Sequence, residues 1–349
     1  MLLEQALDAL LEFGGSDLLI SAGTAPQIRK DGQLQPIATT AAPLTPADTE
    51  QMLRGIVTKE RWPILISQRN LDFSFTWQNK VRIRGNAFFQ RGSLAAAFRM
   101  LPLAIPSFEE LGAPDALYDL IGRRQGLVLV TGPTGSGKST TQAAMIDYIN
   151  RTRRCHVITI EDPIEYVHRH QAAVVDQREI GSDSPSFADA LRSVFREDPD
   201  VVLIGEMRDL ETISSALTIA ETGHLVLATL YTNDSSQAMD RILDGFPGTQ
   251  QEQVKVQLAA CLAGVVYQQL LPAVGGGRVA AYEVLIASAA VRALIKDGKT
   301  NQIRNFLQNS AREGSQTLEK SLSQLLKTGM VTERDARAHS LYPDEIAVG

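Results

Sequence analysis

A glycine-rich segment at residues 132–140 has the spacing of a phosphate-binding loop. In GPTGSGKST, Gly132 is followed by four residues and then by Gly137, Lys138 and Ser139. Glycines let backbone N–H groups surround a phosphate without Cβ clashes, the lysine can reach the β- and γ-phosphates, and the serine hydroxyl can bind Mg²⁺. The segment therefore predicts binding of ATP with Mg²⁺. The residues expected to contact the nucleotide are Gly132, Pro133, Thr134, Gly135, Ser136, Gly137, Lys138, Ser139 and Thr140.

Carboxylates follow two further apolar runs, at the places where strands are expected to end. Glu161, Asp162 and Glu165 come after HVITI. Glu206 comes after VVLIG, whose Gly205 stands where most P-loop enzymes have an aspartate. Strands of an open α/β sheet carry functional side chains at their carboxyl ends. A lone carboxylate is more often a surface or capping residue, but acids clustered at strand ends after a phosphate-binding loop favour catalysis.

A third apolar run, LVLATL at 225–230, ends in a cluster of polar side chains. It is followed by Tyr231, Thr232, Asn233, Asp234, Ser235 and Ser236. The pattern predicts a buried strand whose polar end faces the γ-phosphate and can respond to its presence. Tyr231 offers a hydroxyl there. Its ordinary pKa of about 10 keeps it neutral at neutral pH, and a phenol has no cationic form in this range.

The elements that must position these residues are indicated by the apolar periodicity. From about residue 115, short apolar runs alternate with helical stretches, as in a parallel sheet covered by helices. Before them, LDFSFTW and VRIRGNAFF alternate as half-buried antiparallel strands do. We therefore expect an α/β protein with an N-terminal domain at 1–100, an interdomain linker with three prolines at 101–114, and an ATPase domain at 115–349 with C-terminal helices from about 286.

Composition and charge argue against several protein classes. The chain has 349 residues, 44% hydrophobic and 21% charged, which supports two folded domains. The net charge of −6 argues against a direct nucleic-acid partner. Cys155 and Cys261 form no CxxC pair, so no tetracysteine zinc site is expected. Because no secretory signal and no run of ~20 apolar residues is found, we expect a cytoplasmic protein.

Several longer motifs together resemble the secretion-type ATPases of type IV pili and type II secretion. They are GPTGSGKSTT, TIEDPIEYVH, FREDPDVVLIGEMRD, AETGHLVLATL and LDGFP. Outside this core, SDLLISAG, RIRGNAFFQRG, FEELGAP, GGGRVAAYEV and AVRALIKDGK are most similar to the pilus retraction, or twitching-motility, branch of that family. The resemblance covers nearly the whole chain. It implies a PAS-like N-terminal α+β domain, a RecA-like ATPase domain and a homohexamer.

The resemblance also implies roles for individual residues. Glu165 matches the catalytic glutamate that polarises the attacking water, and Glu206 matches the Walker B acid that acts on Mg²⁺. Arg84 and Arg99 match arginine fingers of the N-terminal domain. The arginine fingers are expected to act across subunits, since transition-state charge is often neutralised in trans.

Two further positions belong to the family's His box. His224 lies in its first part, AETGHLVLATL, and Tyr231 stands in TLYTN where the family has TLHTN. Both are expected to act with the catalytic groups. Since tyrosine cannot become cationic, we expect slower or differently gated hydrolysis without loss of ATP binding.

The family implies a mechanical function. Hexamers are expected to bind MgATP between the ATPase domain of one subunit and the N-terminal domain of its neighbour. Hydrolysis would change the interdomain angle and move an inner-membrane platform protein, so that pilins leave the fibre base. The motor would associate peripherally with the inner membrane, and a paralogous retraction ATPase is a further expected partner.

Two alternatives remain open at the level of sequence. The first is a related assembly, secretion or DNA-uptake motor. The absent zinc motif and the AVRALIKDGK segment, similar to the family's AIRNLIRE, favour retraction instead. The second is an accessory nucleotide-binding subunit with little hydrolysis, suggested by Tyr231 and by Leu19 in SDLLISAG, where the family has histidine at both positions.

Overall fold

The computed structural model describes residues 3–30, 33–38, 42–78, 81–101, 104–309 and 314–347. The chain forms two compact units, one of Met1–Ala104 with Pro163–Val167, the other of Ile105–Asp162 with His168–Gly349. The division between the units at Ala104 and Ile105 falls within the predicted linker at 101–114. Phe108 is buried with its ring edge-on to Tyr118, at 4.9 Å between centroids, so residues after 104 pack within the second unit.

The first unit is an α+β domain with an antiparallel sheet, as the alternating segments predicted. Its six strands have the order β3-β2-β1-β6-β5-β4. The strands are β1 Asp17–Ile20, β2 Gln27–Lys30, β3 Gln33–Pro36, β4 Asn70–Trp77, β5 Val81–Gln90 and β6 Ser93–Leu101. The helices are α1 Leu3–Glu12, α2 Pro46–Arg54 and α3 Trp62–Gln68. Buried residues such as Leu7, Leu53 and Phe98 form its core.

The second unit has a seven-stranded sheet of order β13-β12-β7-β11-β10-β8-β9. The strands are β7 Gly126–Thr131, β8 His156–Glu161, β9 Val174–Glu179, β10 Val201–Ile204, β11 Leu225–Leu230, β12 Leu262–Pro272 and β13 Arg278–Ile286. All pairings are parallel except that of β12 with β13. Every residue of β7, β10 and β11 is buried, which explains their continuous apolar runs.

Helices cover this sheet and form the C-terminal region. They are α4 Phe108–Leu111, α5 Ala116–Ile121, α6 Lys138–Thr152, α7 Phe187–Val194, α8 Leu210–Glu221, α9 Gln237–Asp244, α10 Gly248–Cys261, α11 Ala289–Lys296, α12 Ile303–Asn309, α13 Leu318–Lys327 and α14 Glu333–Ala338. Short 3₁₀ helices occupy Thr300–Gln302 and Pro343–Glu345. The predicted helical tail from about 286 is thus present. Among the described residues, none of the helices has the length and apolar character needed to cross a bilayer.

The parallel register brings the ends of neighbouring strands to one edge of the second unit's sheet. β7 and β11 pair from Gly126↔Leu225 to Thr131↔Leu230, so the segments after both strands begin side by side. β10 lies next to β11, and β8 lies next to β10. This carboxyl edge therefore collects the glycine-rich loop and the polar residues that follow β8, β10 and β11.

Candidate nucleotide-binding site

Close packing against β12 explains two glycines of the loop. Gly132 has a φ of +144°, and a Cβ atom there would lie 2.3 Å from the Gln268 carbonyl oxygen and 2.7 Å from Ser136 Oγ. Gly137 has a φ of +89°, and its Cβ would lie 3.0 Å from Gln268 Nε2. L-residues rarely adopt such φ values, and at Gly132 a Cβ would also have no room. The loop therefore needs glycine at both positions, and α6, whose N-terminus favours anions, begins directly after it at Lys138.

Gln268 on β12 is a residue of the site that the sequence did not reveal. Its Nε2 donates a hydrogen bond of 2.7 Å to the carbonyl oxygen of Ser136, and the residue is 1% exposed. β12 runs parallel to β7 with Tyr267 opposite Thr131, which places the next residue against the loop. VVYQQLL contains two adjacent glutamines, and only the pairing of β12 with β7 distinguishes the one that holds the loop.

Two buried hydroxyls at the loop have no hydrogen-bond partner within the described ranges. They are Ser136 Oγ and Thr131 Oγ1, and both residues are at most 2% exposed. A buried donor without an acceptor costs free energy, and a phosphate oxygen would accept from it. Together with the glycine turns and the helix N-terminus, these hydroxyls fit the phosphates of a nucleotide.

The residues around the loop also fit Mg²⁺ bound together with phosphate. In the part of the chain that the structure describes, no group of three or more His, Cys, Asp or Glu could hold a metal. Mg²⁺ at a nucleotide site takes most of its ligands from water and phosphate and needs only one or two from the protein. Ser139 in the first turn of α6 and Glu206 after β10 are oxygen donors of that kind.

Lys138 is enclosed by its own loop and by Tyr231. Its ammonium donates hydrogen bonds to the carbonyl oxygens of Gly132 (3.0 Å) and Pro133 (2.9 Å). It also lies 4.2 Å from the centroid of the Tyr231 ring. A cation over an aromatic face is attracted by the ring quadrupole. The structure thus brings together the loop lysine and the residue after β11, as their strand ends suggested.

Tyr231 also links the loop to the acid after β10. Its side chain interacts with those of Glu206 and Thr134. Burial, followed by the negative charge of Glu206, raises the pKa of the Tyr231 hydroxyl above its usual value. Tyr231 is therefore neutral at physiological pH and contacts both sides of the site through its ring face and its hydroxyl.

Glu206 is mostly buried and forms an ion pair with Arg208. The two side chains approach to 2.7 Å, and the hydrogen bond from Arg208 to Glu206 raises the pKa of the guanidinium. A Cβ at Gly205, the residue before the acid, would lie 3.2 Å from the carbonyl oxygen of Ile160 on β8. The strand end is therefore crowded at the position where most P-loop enzymes have an aspartate.

The acids after β8 are divided between the two units. Glu161 ends β8, and its Oε1 accepts hydrogen bonds from Thr159 Oγ1 (2.7 Å) and Gln177 Nε2 (3.2 Å). Asp162 belongs to the second unit. Glu165 lies in Pro163–Val167, which groups with the first unit. The role of Glu165 in polarising water stays a prediction.

Arg84 and Arg99 face each other across the sheet of the first unit. They are register partners on β5 and β6, so their side chains lie on the same face. Like charges directly opposite each other destabilise a sheet. Asp72 lies 4.0 Å from Arg84 and Asp17 lies 2.8 Å from Arg99, which partly offsets the repulsion. Both arginine side chains are solvent-exposed, by 43% and 70%, so the pair can contact an external anion.

His224 lies directly before β11, at the opposite end of that strand from the phosphate-binding loop, and its catalytic role stays a prediction. Its carbonyl oxygen accepts from Gly126 N–H at the start of β7. The length of β11 separates it from Tyr231, about 20 Å at the rise of a strand. Its Nδ1 lies 3.1 Å from the Ile219 carbonyl oxygen, so the side chain supports the turn between α8 and β11. The motif AETGHLVLATL includes the whole of β11. Its histidine precedes the strand, whereas the polar residues 231–236 follow it.

Arg292, an anchor of the AVRALIKDGK segment, binds the end of α10. Its guanidinium donates to the carbonyl oxygens of Ala259 (2.7 Å), Leu262 (2.6 Å) and Ala287 (3.1 Å). A cation at a helix C-terminus satisfies carbonyls that lack partners within the helix. The segment is thus an amphipathic helix whose arginine fixes α11 to α10.

Comparison with known proteins places the chain among secretion ATPases. The family described as "Type II/IV secretion system protein" matches residues 100–338. The chain is 43% identical to the type IV pilus retractation ATPase PilT of Pseudomonas aeruginosa, over 95% of this chain and 96% of that protein. It is 40% identical to the type IV pilus ATPase PilU of the same organism, over 97% and 88% respectively. The crystal structure of the pilus retraction motor PilT with bound ADP superposes with a TM-score of 0.92 at 48% identity, covering 99% of this chain and 98% of that one.

Replacing Gln268 should weaken nucleotide binding. In Gln268→Ala the buried Ser136 carbonyl loses its donor, and the loop is held less firmly. A loss of about 1–2 kcal/mol corresponds to roughly five- to thirtyfold weaker ADP binding, measurable by calorimetry. Gln269→Ala is the matched control, because the neighbouring side chain bonds the Tyr267 hydroxyl instead. Equal ADP affinities in folded Gln268→Ala and wild type would show that Gln268 does not support the loop.

Tyr231→His should make nucleotide affinity depend on pH in a new way. An imidazole with an ordinary pKa of about 6.5 becomes cationic as the pH falls and then attracts phosphate, whereas the wild-type ring stays neutral. We expect ADP to bind Tyr231→His about three- to tenfold more tightly at pH 5.5 than at pH 8, relative to wild type. Tyr231→Phe, which has no titratable group, corrects for protonation of the phosphate itself. Identical profiles in all three proteins would make residue 231 a spectator.

Proposed function

The chain belongs to the type II/IV secretion system protein family, and we propose that it is an ATP-hydrolysing motor that powers retraction of type IV pili. Similarity to a pilus retractation ATPase over 95% of the chain and 96% of the relative carries this proposal, because it extends through both units. The glycine loop fixed by Gln268 supplies the phosphate site that such a motor requires.

Binding of MgATP would be shared by the loop and the strand ends. Mg²⁺, when bound, neutralises charge on the β- and γ-phosphates. Ser139 and, through water, Glu206 are the residues proposed to hold it. Lys138 would exchange its contacts with the Gly132 and Pro133 carbonyls and the Tyr231 ring for phosphate oxygens. The positive charge that holds the phosphates of ATP would thus come from Lys138 and from Mg²⁺ held by Ser139 and Glu206.

Hydrolysis also requires an oriented water and positive charge at the transition state. We assign the first role to Glu165 and the second to Arg84 and Arg99, supplied by a neighbouring copy in a homohexamer. The placement of the two arginines supports this assignment. Two like charges opposite each other cost sheet stability, and a functional anion would account for them.

The mechanical load that we propose is an inner-membrane platform protein at the base of the pilus machine. The motor would work there as a peripheral, cytoplasmic ring. Hydrolysis would change the angle between the two units of each subunit and release pilins from the fibre. A paralogous ATPase is a further proposed partner.

A second candidate function is that of an accessory subunit that binds nucleotide but hydrolyses little. The contact of Tyr231 with Lys138 favours it. The tyrosine that replaces the family's histidine binds the ammonium of the lysine and so competes with phosphate for it. The acids and arginines matched to the family's catalytic set are retained, which favours the motor.

Deletion of the gene in its host separates these candidates. A retraction motor predicts cells with excess pili that do not twitch, and restoration by the wild-type gene but not by Lys138→Ala. Restoration by Lys138→Ala would instead support the accessory function, because it would show that hydrolysis at this loop is not required for twitching. Cells without pili would contradict retraction and indicate an assembly motor.

A further inference from the structure

Glu283 on β13 is a buried carboxylate that binds the loop after β11. Its residue is 2% exposed. Oε1 accepts two hydrogen bonds from Ser235, one from the backbone N–H at 2.9 Å and one from Oγ at 2.6 Å. Ser235 is itself 1% exposed and lies four residues after Tyr231. The loop after β11 is thus attached to one side chain of β13.

The second oxygen of Glu283 faces the C-terminal helices. Oε2 accepts from the Leu318 N–H at the start of α13 (3.4 Å) and lies 3.7 Å from Arg304 on α12. Arg304 also pairs with Glu319 at 3.1 Å and Glu345 at 2.9 Å. Burial raises the pKa of Glu283 above its usual value, and the hydrogen bonds from Ser235 offset only part of that rise. One carboxylate therefore connects the loop after β11 to two helices of the tail.

Hydrogen bonds within the loop between Tyr231 and α9 make it a compact unit, so the bond from Ser235 to Glu283 restrains the whole loop. Thr232 Oγ1 donates to the Asp234 carbonyl oxygen at 2.8 Å. The Asp234 carboxylate accepts from Ser236 Oγ at 2.7 Å and from Gln237 N–H at 2.8 Å. Fixing Ser235 therefore fixes a compact turn that begins next to Tyr231, which contacts Lys138 and Glu206.

We propose that Glu283 is a positioning residue for ATP hydrolysis: it holds the 231–236 loop at the phosphate edge and joins that loop to α12 and α13. The proposal rests on the proposed ATPase function. The phosphate-binding loop is held separately by Gln268, so Glu283 should influence turnover more than nucleotide affinity.

Glu283→Gln tests this positioning role with an almost isosteric side chain. A carboxamide has one acceptor oxygen, so it can serve either Ser235 or the Leu318 and Arg304 side, but not both. We expect kcat to fall about tenfold or more while ADP affinity stays within about threefold of wild type. Ser235→Ala, which removes one of the two bonds to the loop, should lower kcat in the same direction by a smaller factor.

Glu319→Gln is the matched control. Glu319 is equally buried and pairs with the same arginine, but it makes no contact with the loop among its recorded hydrogen bonds and ion pairs. Its kcat should stay near that of wild type even where thermal stability falls. If Glu319→Gln lowers kcat as much as Glu283→Gln, the effect is one of general stability and the positioning role is wrong.

Two measurements separate this proposal from the proposed function. Absence of turnover in wild type, with ADP still bound, would overturn the ATPase function itself. Wild-type turnover with an unchanged kcat in Ser235→Ala and in folded Glu283→Gln would overturn only the positioning role.

Amide exchange tests the connection to the tail: ADP should alter exchange of the Leu318 amide in wild type and not in Glu283→Gln. An equal change in both proteins would contradict the connection.

Discussion

The close approach of the phosphate-binding loop to β12 is the constraint on which the site depends. The loop packs so tightly that Gly132 leaves no space for a Cβ, Gly137 has a φ of +89°, and Gln268 holds the loop's backbone from a buried position. This packing requires the parallel pairing of β7 with β12, since only that register puts Gln268 beside Ser136. The same sheet aligns the ends of β10 and β11, so Tyr231 contacts Lys138 of the loop and interacts with Glu206.

Charge within the site is balanced by contacts of the protein itself. Lys138 is held by two carbonyl oxygens and an aromatic ring, and Glu206 is paired with Arg208. Phosphate would compete with the first set of contacts, and Mg²⁺ with the second. In the proposed mechanism, binding of MgATP would therefore replace contacts within the protein by contacts with the ligand, and Tyr231 interacts with both Lys138 and Glu206. Its neutral ring is the main chemical difference from the histidine of the family motif.

The parallel sheet, the two-unit organisation and the loop could be predicted from the sequence, because continuous apolar runs and glycine spacing are local signals. Contacts between distant segments could not be predicted. Gln268 and Glu283 lie 132 and 48 residues from their partners Ser136 and Ser235, and nothing local marks them. The position of His224 could not be predicted for a related reason, since a motif conveys order along the chain but not which end of a strand a residue occupies. The short helix that begins at Phe108, within the predicted linker, was likewise not visible among its prolines.

Steady-state ATP hydrolysis by the purified chain tests directly whether the phosphate-binding loop is the catalytic site. At saturating ATP and Mg²⁺, we expect turnover to fall at least about a hundredfold in Lys138→Ala, because the lysine neutralises charge that develops on the transferred phosphoryl group. Equal phosphate release by wild type and Lys138→Ala would contradict the claim that this loop is the catalytic site.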